Sequence, residues 1–320
     1  MIRAFFSFVR LAKVILLTNK KKTNQLYIEL NEVLKPYGYN LTDNQKKRIW
    51  FYTAQSAITN HWFSQLREFS PTAAEVKNAL YLGAFNPIAD DLMDENKITF
   101  EELKNIDIES SSNAILYQYL YNKLRPLQLN NKLFNAYFKK AHLAQNESLK
   151  QLDRKLLTND ELKEISCNKG GFYTMLYRTI LENKPVAGEE EAIYTLGSIL
   201  QLLNDLFDLH KDFHNSVQTL ATNTADIHFM RSELENLEFT FKEQFLALEY
   251  PKSAIRKSYT SIMAIVTRGH VALDYYEKLQ GDDSNLKIEE YERKPLIVDM
   301  EKPKNIWLNL KFAARATRSL

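Results

Sequence analysis

Turn-forming residues are scarce in this chain, with Gly and Pro at 8 each among 320 residues. An all-β or Rossmann-type chain needs a turn about every ten residues, and Gly and Pro are the strongest local markers of such turns. Long helices are the economical alternative, and their starts can be read directly. Thr42 with Gln45, Thr99 with Glu102, and Thr158 with Glu161 have the spacing of capping boxes, while Ser70-Pro71 reads as an N-cap followed by proline at the first helical position. Helices are expected near residues 24–35, 43–69, 72–94, 110–124, 130–156, 159–183, 188–214, 225–249 and 252–280. No linker rich in Gly, Ser or Pro and no internal repeat divides residues 24–280. The expected fold class is all-α, one domain over residues 1–320. A basic amphipathic segment opens it at 1–22, and Gly281, Pro295 and Pro303 mark a C-terminal tail or lid at 281–320.

Charge excludes one broad class of partner. Lys plus Arg at 42 nearly balance Asp plus Glu at 40, so no global field points to nucleic acid, and any phosphate recognition must be local. The lone cysteine, Cys167, excludes a disulfide framework and fits a reducing, cytoplasmic setting. Residues 1–17 place Arg3, Ser7, Arg10 and Lys13 on one helical face, and Lys20, Lys21 and Lys22 follow. Such charge rules out a spanning helix. Packing on the body of the protein is the first expectation for this segment and peripheral contact with a membrane the second.

The stretch Gln201 to Asp212 carries an acidic stripe on an otherwise apolar helix. At about 100° per residue, Asn204, Asp208 and Asp212 fall within about 80° of one another. Oxygen ligands one turn apart suit a hard cation such as Mg²⁺, which keeps positions open for phosphate and water. A solvated acidic face is the plain alternative. The same stripe continues upward through Gly197 and Tyr194, small and aromatic where a solvated face usually carries Lys or Glu, as the wall of a cavity would. A second cluster closes an apolar helix, with Asp90 and Asp94 on one face and Asp91 about 100° round. Carboxylates crowded at a helix C-terminus are unfavourable both to one another and to the dipole, which suggests a cation.

Together, Asp90-Asp91-x-x-Asp94 and Asn204-Asp-x-x-Asp208-x-x-Lys211-Asp212 on two long helices resemble the motifs of class I isoprenoid synthases, in particular bacterial class I terpene synthases. The resemblance covers these motifs and the helical layout of residues 43–280. It implies a single-domain isoprenoid-synthase-type helical bundle around a central cavity, with the two clusters facing each other across it. Asp90, Asp91, Asp94, Asn204, Asp208 and Asp212 would hold three Mg²⁺ ions, or Mn²⁺, against a prenyl diphosphate. Asp replaces the usual Ser or Thr at 208 and the usual Glu at 212, a departure toward the chain-elongating prenyltransferases. Lys211 matches the basic residue that touches diphosphate.

Asn168-Lys169-Gly170-Gly171 followed by Arg178 resembles the broken helix of the same family, which makes Lys169 and Arg178 candidate diphosphate donors; Arg268, Tyr275 and Tyr276, far downstream, are candidate lid donors to the substrate. Tyr194, Gly197, Gln201, Phe85 and Tyr81 are candidate substrate-lining residues. Aromatic faces can stabilise a moving carbocation. The implied reaction is a Mg²⁺-dependent carbon-oxygen lyase step, ionising an allylic diphosphate of about C15 to C25 and cyclising or deprotonating the cation. A prenyltransferase, either elongating or of the squalene and phytoene synthase kind, is the rival; the segment 96–108 lacks the arginines that elongating enzymes carry there. A non-catalytic helical adaptor is the reading from another class. A homodimer is compatible with all three.

Overall fold

The structure is a computed structural model describing residues 2–96, 98–103, 105–107, 111–152, 155–318 and 320, with the side chains of residues 18 and 94–96 outside the description. Every regular element among the described residues is helical, as expected. In chain order these are α1 (Ile2–Lys13), a π-helical stretch (Val14–Asn19), α2 (Lys20–Leu34), α3 (Asp43–Leu66), α4 (Ala73–Asn96), α5 (Phe100–Leu103), α6 (Ser112–Asn130), α7 (Lys132–Ser148), α8 (Asn159–Arg178), α9 (Glu189–Phe207), α10 (Leu209–His214), α11 (Leu220–Thr224), α12 (Ile227–Leu246), α13 (Lys252–Val266), α14 (Arg268–Gln280) and α15 (Pro303–Ala316). Short 3-10 turns follow α2 and α7, and two more precede α15.

The cap signals fold as their spacing requires, with one displacement. At α3 the Gln45 N–H donates to Thr42 Oγ1 (3.1 Å) and the Thr42 N–H to Gln45 Oε1 (2.8 Å). The Thr99–Glu102 and Thr158–Glu161 boxes close in the same way. Ser70-Pro71, by contrast, does not start α4. Thr72 does, paired with Glu75, whose Oε2 accepts from the Thr72 N–H (2.7 Å) and whose own N–H donates to Thr72 Oγ1 (3.2 Å). Glu75 is fixed there by a buried bidentate pair with Arg67 (2.7 and 2.6 Å) and by the Glu182 N–H (2.8 Å).

Several expected helices are interrupted. Residues 188–214 divide at Asp208, 252–280 divide at Thr267, and 24–35 is the end of a helical run that begins at Ile2. The break at Thr267 has a visible cause. Asn309 of α15 donates from Nδ2 to the Ala264 carbonyl (2.9 Å) and accepts from Thr267 Oγ1 (2.8 Å), satisfying backbone that a helix end would leave orphaned.

The chain forms two compact units. One, here the N-terminal unit, comprises Val9–Asn146 with Leu176–Lys184. Its α3 packs on α4 and α4 on α6. Its centre is aromatic: the ring of Phe85 lies 5.3 Å from Tyr117 and 5.6 Å from Phe138, and Phe100 stacks on His142 at 3.8 Å. Burial pushes the His142 imidazole down to about 4. The other, the C-terminal unit, comprises Met1–Phe8, Glu147–Met175 and Pro185–Leu320. There α9 packs on α12 and α12 on α14, around Phe241, Phe245 and Tyr259. The tail at 281–320 is tied into this unit. Tyr275 donates to the Pro295 carbonyl (2.8 Å), and the Tyr276 hydroxyl lies between the carbonyls of Leu206 (3.1 Å) and Leu296 (3.0 Å).

Candidate functional site

In the C-terminal unit the site begins with how closely α8 and α9 approach. The expected break at Gly170-Gly171 is absent, because α8 runs through both glycines without interruption. Their role is contact. A Cβ on Gly170 would overlap the carbonyl oxygen of Gly197, one on Gly197 would overlap that of Gly170, and one on Gly171 would strike the Tyr194 ring. Glycines on both helices let the two backbones touch, so the side of Gly197 that a cavity would need is filled by α8. Tyr194 lies against Gly171, meets the Phe172 ring at a tilt (centroids 5.4 Å apart) and donates its hydroxyl to Asn168 Oδ1 (2.8 Å).

This approach selects which acidic residues face α8. Asn204, placed at the centre of the expected stripe, is exposed. Asp205, one residue on, is buried, with Ser166 of α8 donating to Oδ2 (3.1 Å) and Gln201 Nε2 to Oδ1 (2.8 Å). The inward stripe is therefore Gln201, Asp205, Asp208 and Asp212, turned about 40 to 100° from Asn204 on a regular helix. Helix α9 loosens at Asp208, where φ is −92° and ψ 6°, yet the bonds from Asp208 N–H to the Asn204 carbonyl (2.9 Å) and from Asp212 N–H to the Asp208 carbonyl (2.8 Å) persist. The stripe therefore continues across the joint into α10.

Three carboxylates on one stripe burden one another. Burial raises Asp212 to about 7, with Asp208 and then Asp205 adding to the rise, while Lys211 and Lys169 oppose it. Asp205 is raised to about 6 by burial, against the hydrogen bonds from Gln201 and Ser166 and the charge of Lys169. Lys211 pairs with Asp208 (3.2 Å), and Lys169 Nζ lies 3.5 Å from Ser148 Oγ. Sequence reasoning thus named Asp208, Asp212, Lys169 and Lys211, and the structure brings these together. It overlooked Asp205 and Ser166. The Gln201–Asp205 spacing of one turn was the available signal; nothing in the sequence pointed to Ser166. Arg268, at the start of α14, is part-buried, and desolvation lowers its pKa.

In the N-terminal unit, Pro87 removes one ladder bond from α4 a turn before the second cluster. Asp90 and Asp91 follow, both only 17% exposed in their side chains; the side chain of Asp94 lies outside the described residues. Arg48 of α3 reaches Asp91 (3.0 Å) and Asp90 (3.7 Å) with one guanidinium nitrogen, which also meets the Pro87 carbonyl (3.5 Å). The phenol of part-buried Tyr52 is pushed up by desolvation and then by Asp90, and Asn86 donates to the Tyr177 hydroxyl (2.8 Å). Arg48 gave no sequence signal, since it lies some forty residues from the carboxylates it serves. Arg178 is buried, 1% exposed, and donates to the Asn183 carbonyl (3.0 Å). Phe85 is fully buried in the aromatic centre, and Tyr81 donates to Glu29 (2.8 Å), which also accepts from Tyr119 (2.5 Å).

Both clusters offer hard oxygen donors whose mutual repulsion a divalent cation would relieve. Among the described residues no group of three or more His, Cys, Asp or Glu side chains is already gathered as a metal would hold it. The donors suit Mg²⁺ by chemistry, with Asp205 held apart as the group that fixes α9 against α8. No protein-family model, curated protein or solved structure matches this chain.

Proposed function

We propose that the protein is a Mg²⁺-dependent class I terpene synthase, which ionises a prenyl diphosphate of about C15 to C25 and cyclises or deprotonates the allylic cation. The observation that carries the reading is the gathering of Asp205, Asp208 and Asp212 on one stripe, where burial first and then the charges of Asp208 and Asp205 lift Asp212 to about 7 although Lys211 and Lys169 oppose the rise. Carboxylates that repel one another within reach of two lysines suit a site that receives both a divalent cation and a polyanion.

The proposed ligands are Asp208, Asp212 and Asn204 in the C-terminal unit and Asp90, Asp91 and Asp94 in the N-terminal one. Bound Mg²⁺ supplies Lewis-acid stabilisation of the departing diphosphate. The remaining work falls to the chain's own groups. Lys169 and Lys211 donate to diphosphate oxygens, and Lys211 exchanges its bond with Asp208 for one to phosphate. Arg48 holds Asp90 and Asp91 oriented through its guanidinium. Asp205, tied to Ser166 and Gln201, keeps the stripe in register with Lys169.

The test is to incubate purified protein with Mg²⁺ and farnesyl or geranylgeranyl diphosphate, with and without isopentenyl diphosphate, and to analyse the extract. Hydrocarbon or terpene alcohol from a single substrate is expected. Product formed only with isopentenyl diphosphate would reassign the protein to chain elongation, and coupling of two identical diphosphates to head-to-head condensation.

A further inference from the structure

Helix α1 is amphipathic in the reverse sense. Its inward residues are small or slender, with Ala4, Ser7 and Leu11 buried. Its bulky residues face out: Ile2 is 75% exposed, Phe5 50%, Phe6 56% and Val9 46%, and Leu16 and Leu17 of the π-helical stretch continue the series at 59% and 65%. On the helical wheel Ile2, Phe5, Phe6 and Val9 occupy a sector of about 100°, and Arg3 and Arg10 flank one edge of it. Phe5 and Phe6 sit edge to face, 5.9 Å apart, each about half exposed. A surface helix ordinarily turns such a sector inward.

The charge on the same stretch has one sign. Arg3, Arg10, Lys13, Lys20 and Lys21 are exposed, Lys22 is half-buried, and no Asp or Glu precedes Glu29. No described helix is long and apolar enough to cross a membrane. A second copy of this chain docked through the sector would set like charges against like, which opposes the contact. A negatively charged lipid surface answers both halves of the pattern.

We propose that residues 2–21 form a peripheral membrane anchor, with the apolar sector seated at the headgroup and acyl boundary of an anionic bilayer and the Arg and Lys side chains on lipid phosphates. The inference is independent of the acidic clusters and of the proposed reaction. It assigns the outward aromatics a function that packing within the protein does not.

The experiment is flotation of the full chain with vesicles of phosphatidylcholine alone and of phosphatidylcholine mixed with phosphatidylglycerol, at low and high salt. Binding to the mixed vesicles is expected, at least about tenfold weaker on phosphatidylcholine alone and in high salt. Phe5→Ser with Phe6→Ser should abolish it, and Arg3→Glu with Arg10→Glu should reduce it at least about tenfold. Unchanged circular dichroism and melting in both variants would show that folding is not the cause, as their exposure predicts. Equal binding to both vesicle types, absence of binding, or a solution dimer dissociated by the Phe variant in protein that does not float would each overturn the proposal.

Discussion

Replacing Asp212 by Asn is expected to stabilise the metal-free protein and to remove its response to Mg²⁺. In the folded chain Asp212 titrates near 7 against an ordinary 3.8, raised by burial first and by Asp208 and Asp205 next. A rise of about three units corresponds to about 4 kcal/mol, and solvent at the part-exposed Asp208 reduces the working figure to about 2 kcal/mol. The sign follows from proton binding. Between about pH 4 and pH 7 the folded state holds a proton that the unfolded state has lost, so this group's contribution to stability falls as pH rises and the full cost is present above pH 7. Asn cannot ionise, which removes both the slope and the cost. Thermal melts in chelator should therefore show Asp212→Asn more stable than wild type by about 3 °C near pH 8 and equal to it near pH 4. Millimolar Mg²⁺, binding only the folded state, should raise the wild type and leave the variant where it was. A variant less stable than wild type near pH 8, or one that Mg²⁺ stabilises as strongly, would refute the reasoning.

Two further substitutions test the packing within each unit, one in each. Gly197→Ala forces a methyl group onto the Gly170 carbonyl, so α8 and α9 must separate; a loss of about 1 to 3 kcal/mol is expected in urea unfolding, together with a fall of the Asp205 carboxyl toward the ordinary range as water enters beside it, the lost burial outweighing the lost Ser166 bond, read by carboxyl NMR titration. Arg67→Met strands the buried Glu75 carboxylate and should cost about 3 to 5 kcal/mol in the same unfolding assay, with Arg67→Met combined with Glu75→Leu recovering most of it.

The all-α class was legible because helix caps and the scarcity of Gly and Pro are local signals. Thr42 and Gln45 need only each other to form a box. Where a boundary depended on a distant partner, local reading slipped: α4 starts at Thr72 because Glu75 is held by Arg67 and by the Glu182 backbone, and α13 ends where Asn309, some forty residues on, takes its carbonyl. The site divides the same way. A stripe of carboxylates can be counted on a wheel, but which edge turns inward was decided by the glycine contact between α8 and α9, and that buried Asp205 and exposed Asn204. Gly170-Gly171 misled for a related reason, since glycine weakens an isolated helix yet is what two helices need to touch. Arg48 was invisible because its partners are close only in space.

The central claim is that these carboxylates serve the departure of diphosphate from a prenyl substrate. It is tested most directly by the rate at which inorganic pyrophosphate is released from farnesyl or geranylgeranyl diphosphate, measured for the wild type with Mg²⁺, with chelator, and for Asp90→Asn and Asp208→Asn. The account predicts release that requires Mg²⁺ and falls at least about a hundredfold in each variant. Release that persists in chelator, or that neither substitution slows, would contradict it.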